Sequence, residues 1–239
     1  MWLESAAAAA AVSGVMYYAV GVPSSQLFGP SLVRRTADGG PPRVALTFDD
    51  GPSESTPAVL EILAKHGAHA TFFQVGSNAR RLPEMARRVA VEGHEIGNHT
   101  ETHPAFYKRT PGGVEREITR CQESLERVHG RAPSLFRPPY GARWFGMFPA
   151  LRRHHLTSVM WSVSSYDWER PAEWIAERVI RKAGPGAVVL MHDGDTTTLG
   201  DRRQATARAT GMILESLAAR GIAAVTISDL FGLPRVDQR

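Results

Sequence analysis

From Arg43 onward the chain alternates short apolar runs with longer amphipathic stretches. The runs cover 44–48, 70–73, 95–97, 134–137, 157–161, 187–191 and 223–227. Each has a strand's length, and most are separated by helical spacing. In 114–129, Val114, Ile118, Cys121, Leu125 and Val128 fall three and four apart. The stretch 56–66 carries Val59, Leu60, Ile62 and Leu63, and 83–92 opens on a proline, which suits a first helical turn. Similar patterns occupy 171–182 and 203–220. Gly67, Gly93, Gly130 and Gly221 follow four of these helices, where a left-handed cap is cheap for glycine. Strands alternating with helices imply an α/β fold with a parallel sheet. About seven strands suggest a distorted (β/α) barrel, closed or nearly so, with a doubly wound open sheet as the alternative.

The chain ahead of this pattern reads differently. Residues 5–22 form an uncharged, Ala-rich run ending near Met16, Tyr17 and Tyr18. Its length is about the minimum for a membrane span. Three readings compete: a membrane anchor or uncleaved signal, a cleaved signal, and an Ala-rich helix packed on a soluble domain. The first is favoured, and places the protein at the cell envelope, outside the cytoplasm. Two features pull against it. Glu4 precedes the run with no Lys or Arg, and Arg34 and Arg35 follow it, which favours a cytoplasmic downstream side. Residues 23–42, rich in Pro, Gly and Ser, read as a linker. The expected organisation is therefore a hydrophobic segment over 1–22, a linker over 23–42 and a catalytic domain over 43–239.

Composition narrows the partners. The 239 residues carry a net charge of +4, without a dense basic cluster interleaved with aromatics, so nucleic acid is not expected. A mild positive excess suits a polyanionic surface such as a cell wall or an anionic lipid face. A single cysteine, Cys121, allows no intrachain disulfide and reads as a small buried hydrophobe. A monomer is expected.

Polar residues gather just after the apolar runs, which in a β/α barrel puts them on one face. Asp49 and Asp50 end the first run before Gly51-Pro52. Two carboxylates near one metal can divide labour, one coordinating and one taking a proton; an ordinary acidic turn is the bland alternative. His99 and His103 stand four apart, so a helical turn would put both rings on one face. Thr100 follows the first His where the zinc-protease motif needs Glu, so that motif fails. Asp50, His99 and His103 together make a His₂Asp ligand set with open positions, suited to zinc and open to cobalt, nickel or manganese. Arg137 precedes a stiff Pro138-Pro139 loop; it could grip a carboxylate, and the loop's N–H groups could hold an oxyanion. His192 is either a general acid or a buried structural histidine. Trp161 and Trp168 could stack on sugar, although core packing is the commoner role for each.

Four of these segments, TFDDGP from Thr47, HTETH from His99, RPPY from Arg137 and LMHD from Leu190, appear in one order. Together they resemble the polysaccharide deacetylases of carbohydrate esterase family 4, from about Arg43 to the C-terminus. The resemblance implies a distorted barrel of fewer than eight strands. It implies Asp49 as general base and Asp50, His99 and His103 as metal ligands. Arg137 would orient Asp49, the Tyr140 N–H would hold the oxyanion, and His192 would protonate the leaving amine. Tyr140, Trp168, Asp167 and Leu190 are implied as substrate-binding. One motif departs: the family's D-x-x-D-W falls on residues 164–168, with Ser164 in place of the first Asp. Its loss is expected to deprive His192 and Arg137 of a negative charge. The implied activity removes N-acetyl groups from an amino-sugar polysaccharide, peptidoglycan or chitin-like. An O-acetyl esterase on xylan or another glycan, and a glycan-binding pseudoenzyme, are the alternatives.

Overall fold

A computed structural model describes residues 13–36 and 39–234. The part of the uncharged run before residue 13 lies outside the described residues. Residues 13–21 are helical (α1), and among the described residues no helix is long and apolar enough to cross a membrane.

The strands form one parallel sheet: β1 Arg43–Asp49, β2 Thr71–Gln74, β3 Glu95–Asn98, β4 Leu135–Phe136, β5 Thr157–Ser158, β6 Val163–Ser164, β7 Val188–His192 and β8 Ala223–Val225. Seven follow the order β5-β4-β3-β2-β1-β7-β6, and β8 pairs with the start of β1. The end strands β5 and β6 do not pair with each other, so the sheet curls into the expected distorted barrel without closing. The pattern of apolar runs does not reveal β6, because two residues cannot carry an alternation. The last predicted run also stops early, at Val225. The Thr226 hydroxyl accepts the Asp229 N–H at 3.2 Å and caps a short helix there.

The helices are α2 Thr56–Lys65, α3 Gly76–Arg81, α4 Pro83–Val91, α5 Pro111–His129, α6 Met147–Arg153, α7 Ala172–Lys182, α8 Gln204–Ala219 and α9 Ile227–Phe231. Of these, α2, α4, α5, α7 and α8 lie where spacing predicts, whereas α3, α6 and α9 are too short to show a full apolar period. The four predicted cap glycines all have positive φ.

Residues 23–36, read as a linker, are hydrogen-bonded to the barrel. Leu32 bridges Val159 beyond β5, and Arg34 bridges Ala187 ahead of β7, so this stretch spans part of the open seam. At Gly186, φ is +81° and a Cβ would come within 2.0 Å of the Arg35 carbonyl oxygen, so only glycine admits the crossing. An extended stretch of this kind needs no apolar period, which is why its composition suggests only a connector.

Strand alternation decides what faces the site. Val44, Leu46 and Phe48 of β1 join the cluster that packs beneath α2, α7 and α8. Ala45 joins the cluster inside the barrel with Phe73, Leu135, Val159 and Val188. Thr47 and Asp49 share the face of Ala45, so Asp49 points inward at the top of the barrel. Phe48 and Phe72 stack between β1 and β2 at 5.0 Å, and Phe72 is buried. Phe72→Ala should cost about 3–5 kcal/mol in urea unfolding, the usual range for emptying such a site. A loss under about 1 kcal/mol would show that this stack carries little of the core.

Candidate active site

The strand ends converge on a cleft of ≈ 520 Å³ whose lining includes Asp49, Asp50, His99, His103, Tyr140, Trp168, Leu190 and His192. Asp49 ends β1, His99 follows β3, Arg137 follows β4 and His192 ends β7. Residues far apart in sequence thus meet on one face.

Asp50, His99 and His103 are buried, and one ligand atom from each lies within 4.8 Å of the others. Asp50 Oδ1 is 3.0 Å from His103 Nε2 and 3.4 Å from His99 Nε2. His99 Nδ1 lies 2.7 Å from the Arg137 carbonyl oxygen, which can only accept. Nδ1 therefore carries the proton, and Nε2 turns a lone pair toward Asp50. Asp50 Oδ1 has no well-formed hydrogen bond among the described residues. A buried carboxylate oxygen facing an imidazole lone pair calls for a cation between them. The residues present therefore fit a divalent ion. Burial pushes the Asp50 carboxyl up, but protonated rings at His103 first, then His99 and His192, outweigh it and hold it well below the usual range, and a cation held in the triad would act in the same direction.

The histidine pair comes together in a different way from the expected helical turn. Residues 99–103 form a loop, with Thr100 at φ 68° and His103 at φ 55°. Side chains hold it in place of helical bonds: Asn98 Oδ1 accepts the Thr100 N–H at 2.9 Å, and the Thr100 hydroxyl accepts the His103 N–H at 3.1 Å. Asp50 and Tyr140 are also left-handed, at φ 73° and 57°. Each such residue costs roughly 1–2 kcal/mol, and their gathering at one cleft marks geometry kept for a purpose.

Beside the triad, Arg137 is fully buried. Its Nη1 donates to Asp49 Oδ1 at 2.7 Å and to the Thr47 hydroxyl at 2.7 Å. Nε and Nη2 donate to the carbonyls of Val159 and Met160, at 3.2 and 3.1 Å. The Phe73 ring lies 4.1 Å from its guanidinium carbon. Asp49 is thus held in one orientation, its Oδ2 3.7 Å from His99 Nε2.

On the opposite side stands His192, whose Nδ1 is 2.7 Å from Asp167 Oδ1. Asp167 Oδ2 also accepts the His192 N–H and the Thr206 hydroxyl, each at 2.8 Å. Burial pulls the His192 pKa down, but Asp167 first, then Asp50 and Asp49, outweigh it and push it up to about 9. Asp167, expected to bind substrate, is buried behind His192 and hydrogen-bonded to that ring. Ser164 does not deprive His192 of its carboxylate, because Asp167 supplies it, and Arg137 is paired with Asp49. Ser164 itself lines the cleft.

Tyr140 is 62% exposed, and its ring packs edge-on against His103 at 4.7 Å. Trp168 is partly exposed, 5.8 Å from the His192 ring. Leu190 lines the floor, and Trp161 is half-buried against the barrel interior while also reaching the cleft. Sequence reasoning missed several lining residues: Gly21 and Pro23 ahead of the barrel, and Asp195, Thr196 and Arg203 between β7 and α8. No local pattern marks them, although Asp167 stands directly before Trp168 in a recognisable motif.

Residues 36–173 match the Polysaccharide deacetylase family, a span that stops short of β7 and His192. A peptidoglycan-N-acetylglucosamine deacetylase of Bacillus cereus is 38% identical over 190 residues, covering 79% of this chain and 68% of that protein. A chitooligosaccharide deacetylase of Azorhizobium caulinodans is 40% identical over 189 residues, covering 75% and 90%. The solved structure of the peptidoglycan deacetylase PdaC from Bacillus subtilis superposes with a TM-score of 0.73 at 33% identity, covering 82% of this chain and 93% of that one. With a buried Asp–His–His triad at the mouth of a curled parallel sheet and relatives of this similarity, the chain belongs to the polysaccharide deacetylase family, carbohydrate esterase family 4.

Proposed function

We propose that this protein is a metal-dependent hydrolase that removes N-acetyl groups from an amino-sugar polysaccharide, peptidoglycan or chitin-like, at the cell envelope. The observation that carries the reading is the buried Asp50–His99–His103 triad, flanked by a carboxylate held by arginine and an imidazole held by aspartate. The N-acetyl glycans named for the relatives support the substrate class, and a peptidoglycan substrate lies outside the cytoplasmic membrane.

Asp50, His99 and His103 would hold a divalent ion, zinc by the ligand types, which when bound would supply Lewis-acid polarisation of the acetyl carbonyl and lower the pKa of water. Asp49 takes the proton of the attacking water, and Arg137 keeps its carboxylate aimed. The Tyr140 N–H, in a loop stiffened by Pro138 and Pro139, donates to the oxygen on which charge develops. His192 then gives its proton to the leaving nitrogen, while Asp167 steadies the imidazolium. Tyr140, Trp168 and Leu190 present the faces against which sugar and acetyl group pack.

Acetate release from N-acetylglucosamine oligomers, with O-acetylated xylan in parallel, tests the reading. Release from the N-acetylated oligomers should stop with a chelator and return with added metal. Release from xylan alone would move the assignment to an O-acetyl esterase, and none from either by the metal-loaded protein would end it. His103→Ala should lose the bound metal and nearly all activity while its circular dichroism stays that of the wild type. Full metal occupancy in that variant would remove His103 from the ligand set.

The acid also sets a pH limit. A general acid works only while protonated, so with a pKa near 9 His192 serves below that value and fails as pH rises through it. A bound dication opposes the help from Asp50 and Asp49 and draws the limit downward. Asp167→Asn removes the largest stabilising charge, so the alkaline limb of kcat should move at least about one unit lower. The rate on N-acetyl substrate should fall by about 10²-fold. An alkaline limb at the same pH in both proteins would uncouple Asp167 from the acid.

A further inference from the structure

We propose that residues 20–25, seated by Arg143, form one wall of the substrate cleft, so that the stretch ahead of the barrel helps determine how a glycan chain is bound. The inference rests on the reading that the cleft takes an acetylated glycan.

Arg143 is fully buried, and backbone carbonyls of this stretch accept from both of its terminal nitrogens, while Nε has no hydrogen-bond partner among the described residues. Its backbone N–H donates to the Val20 carbonyl at 3.1 Å. Nη1 donates to the carbonyls of Pro23 and Ser25 at 3.2 and 2.6 Å, and Nη2 to that of Val22. The C-terminal end of α1 leaves carbonyls unmatched and carries partial negative charge, which a guanidinium complements. A buried cation with several carbonyl acceptors is tolerable, and without them it is costly. Arg143 and the stretch 20–25 therefore need one another. The chain continues along the same surface, where Phe28 packs edge-on against Phe145 at 5.2 Å and Leu32 bridges Val159.

This seating has a consequence for the site. Arg143 lies two residues beyond Gly141, in the loop that carries Tyr140. Gly21 and Pro23 line the same cleft as Asp50 and His103. The wall stands with the Tyr140 loop, whereas Trp168 stands beside His192 across the cleft. Gly21 is exposed, while the triad is buried, so the wall meets sugar units flanking the reacting acetyl group and not the group itself. A Cβ on Gly21 would meet nothing within 4 Å, so a side chain can be started there without a backbone or core clash at its first atom.

Gly21→Phe and Arg143→Gln in the full-length protein test this. For an N-acetylglucosamine hexamer, Gly21→Phe should raise KM at least about tenfold more than it does for a small aryl acetate, with kcat changed far less. Arg143→Gln should raise the hexamer KM in the same selective way, and Arg143→Lys should recover part of it. An unchanged hexamer KM in Gly21→Phe, or equal losses on both substrates, overturns the wall. Wild-type protein that releases no acetate from the hexamer would count against the deacetylase reading instead. Amide exchange then judges the wall without substrate: amides over 18–25 should be protected in the wild type and exchange at least about tenfold faster in Arg143→Gln. Fast exchange there in the wild type overturns the seating.

Discussion

Arg137 carries no chemistry of its own, yet the site is arranged around it. Its guanidinium is buried and bonded to the Asp49 carboxylate, the Thr47 hydroxyl and two carbonyls beyond β5. Its own carbonyl oxygen accepts from His99 Nδ1. One residue therefore orients the Asp49 carboxylate, ties β1 to the strand at the edge of the sheet, and sets which nitrogen of a triad histidine faces Asp50. A buried guanidinium is costly to desolvate, and here each of its three nitrogens finds an acceptor. That demand locks the positions of its partners, and preorganisation of this kind is what a hydrolytic site needs. The open seam between β5 and β6 makes the tie more consequential, because no ladder of hydrogen bonds closes the sheet there.

The His192 side of the cleft uses the same device with the charges reversed. Asp167 is the buried ion, and it is matched by His192 Nδ1, the His192 N–H and the hydroxyls of Thr206 and Ser165. The two buried pairs differ in which partner faces the cleft: a carboxylate oriented by arginine on one side, and on the other an imidazole whose pKa aspartate raises. Ser164 shows how close in sequence the alternatives are. Three positions separate it from Asp167, and only Asp167 turns back beneath the His192 ring.

Between the two pairs, local strain shapes the triad. Asp50, Thr100, His103 and Tyr140 all hold left-handed backbone without being glycine. The barrel below them is well packed through the Phe48–Phe72 stack and the apolar layer under α2, α7 and α8, and such a core can support unfavourable turns at its rim. The stretch ahead of β1 joins the same rim through Arg143, so the cleft is built from more of the chain than the repeating units alone.

Much of this was legible in the sequence. Apolar runs of strand length, alternating with three-and-four spacing, led to a curled parallel sheet and to most of its helices, because periodicity is a local property of the chain. The triad was legible too, since Asp50, His99 and His103 are distinctive ligand types placed directly after predicted strands. What periodicity cannot carry is the identity of partners across the fold. Asp167 lies 25 residues from His192, and Arg143 lies 118 residues from the Ser25 carbonyl it holds. Only the tertiary structure shows that Asp167, and not Ser164, pairs with the imidazole. Only side-chain hydrogen bonds turn 99–103 into a left-handed loop in place of a helical turn. Only the path of residues 20–36 over the open seam makes a stretch that reads as a connector into part of the cleft. In 99–103 the deciding energy is a pair of short-range side-chain hydrogen bonds, and in the other cases it is a long-range hydrogen bond or a buried charge finding its match; none of these leaves a mark on the apolar period of the chain.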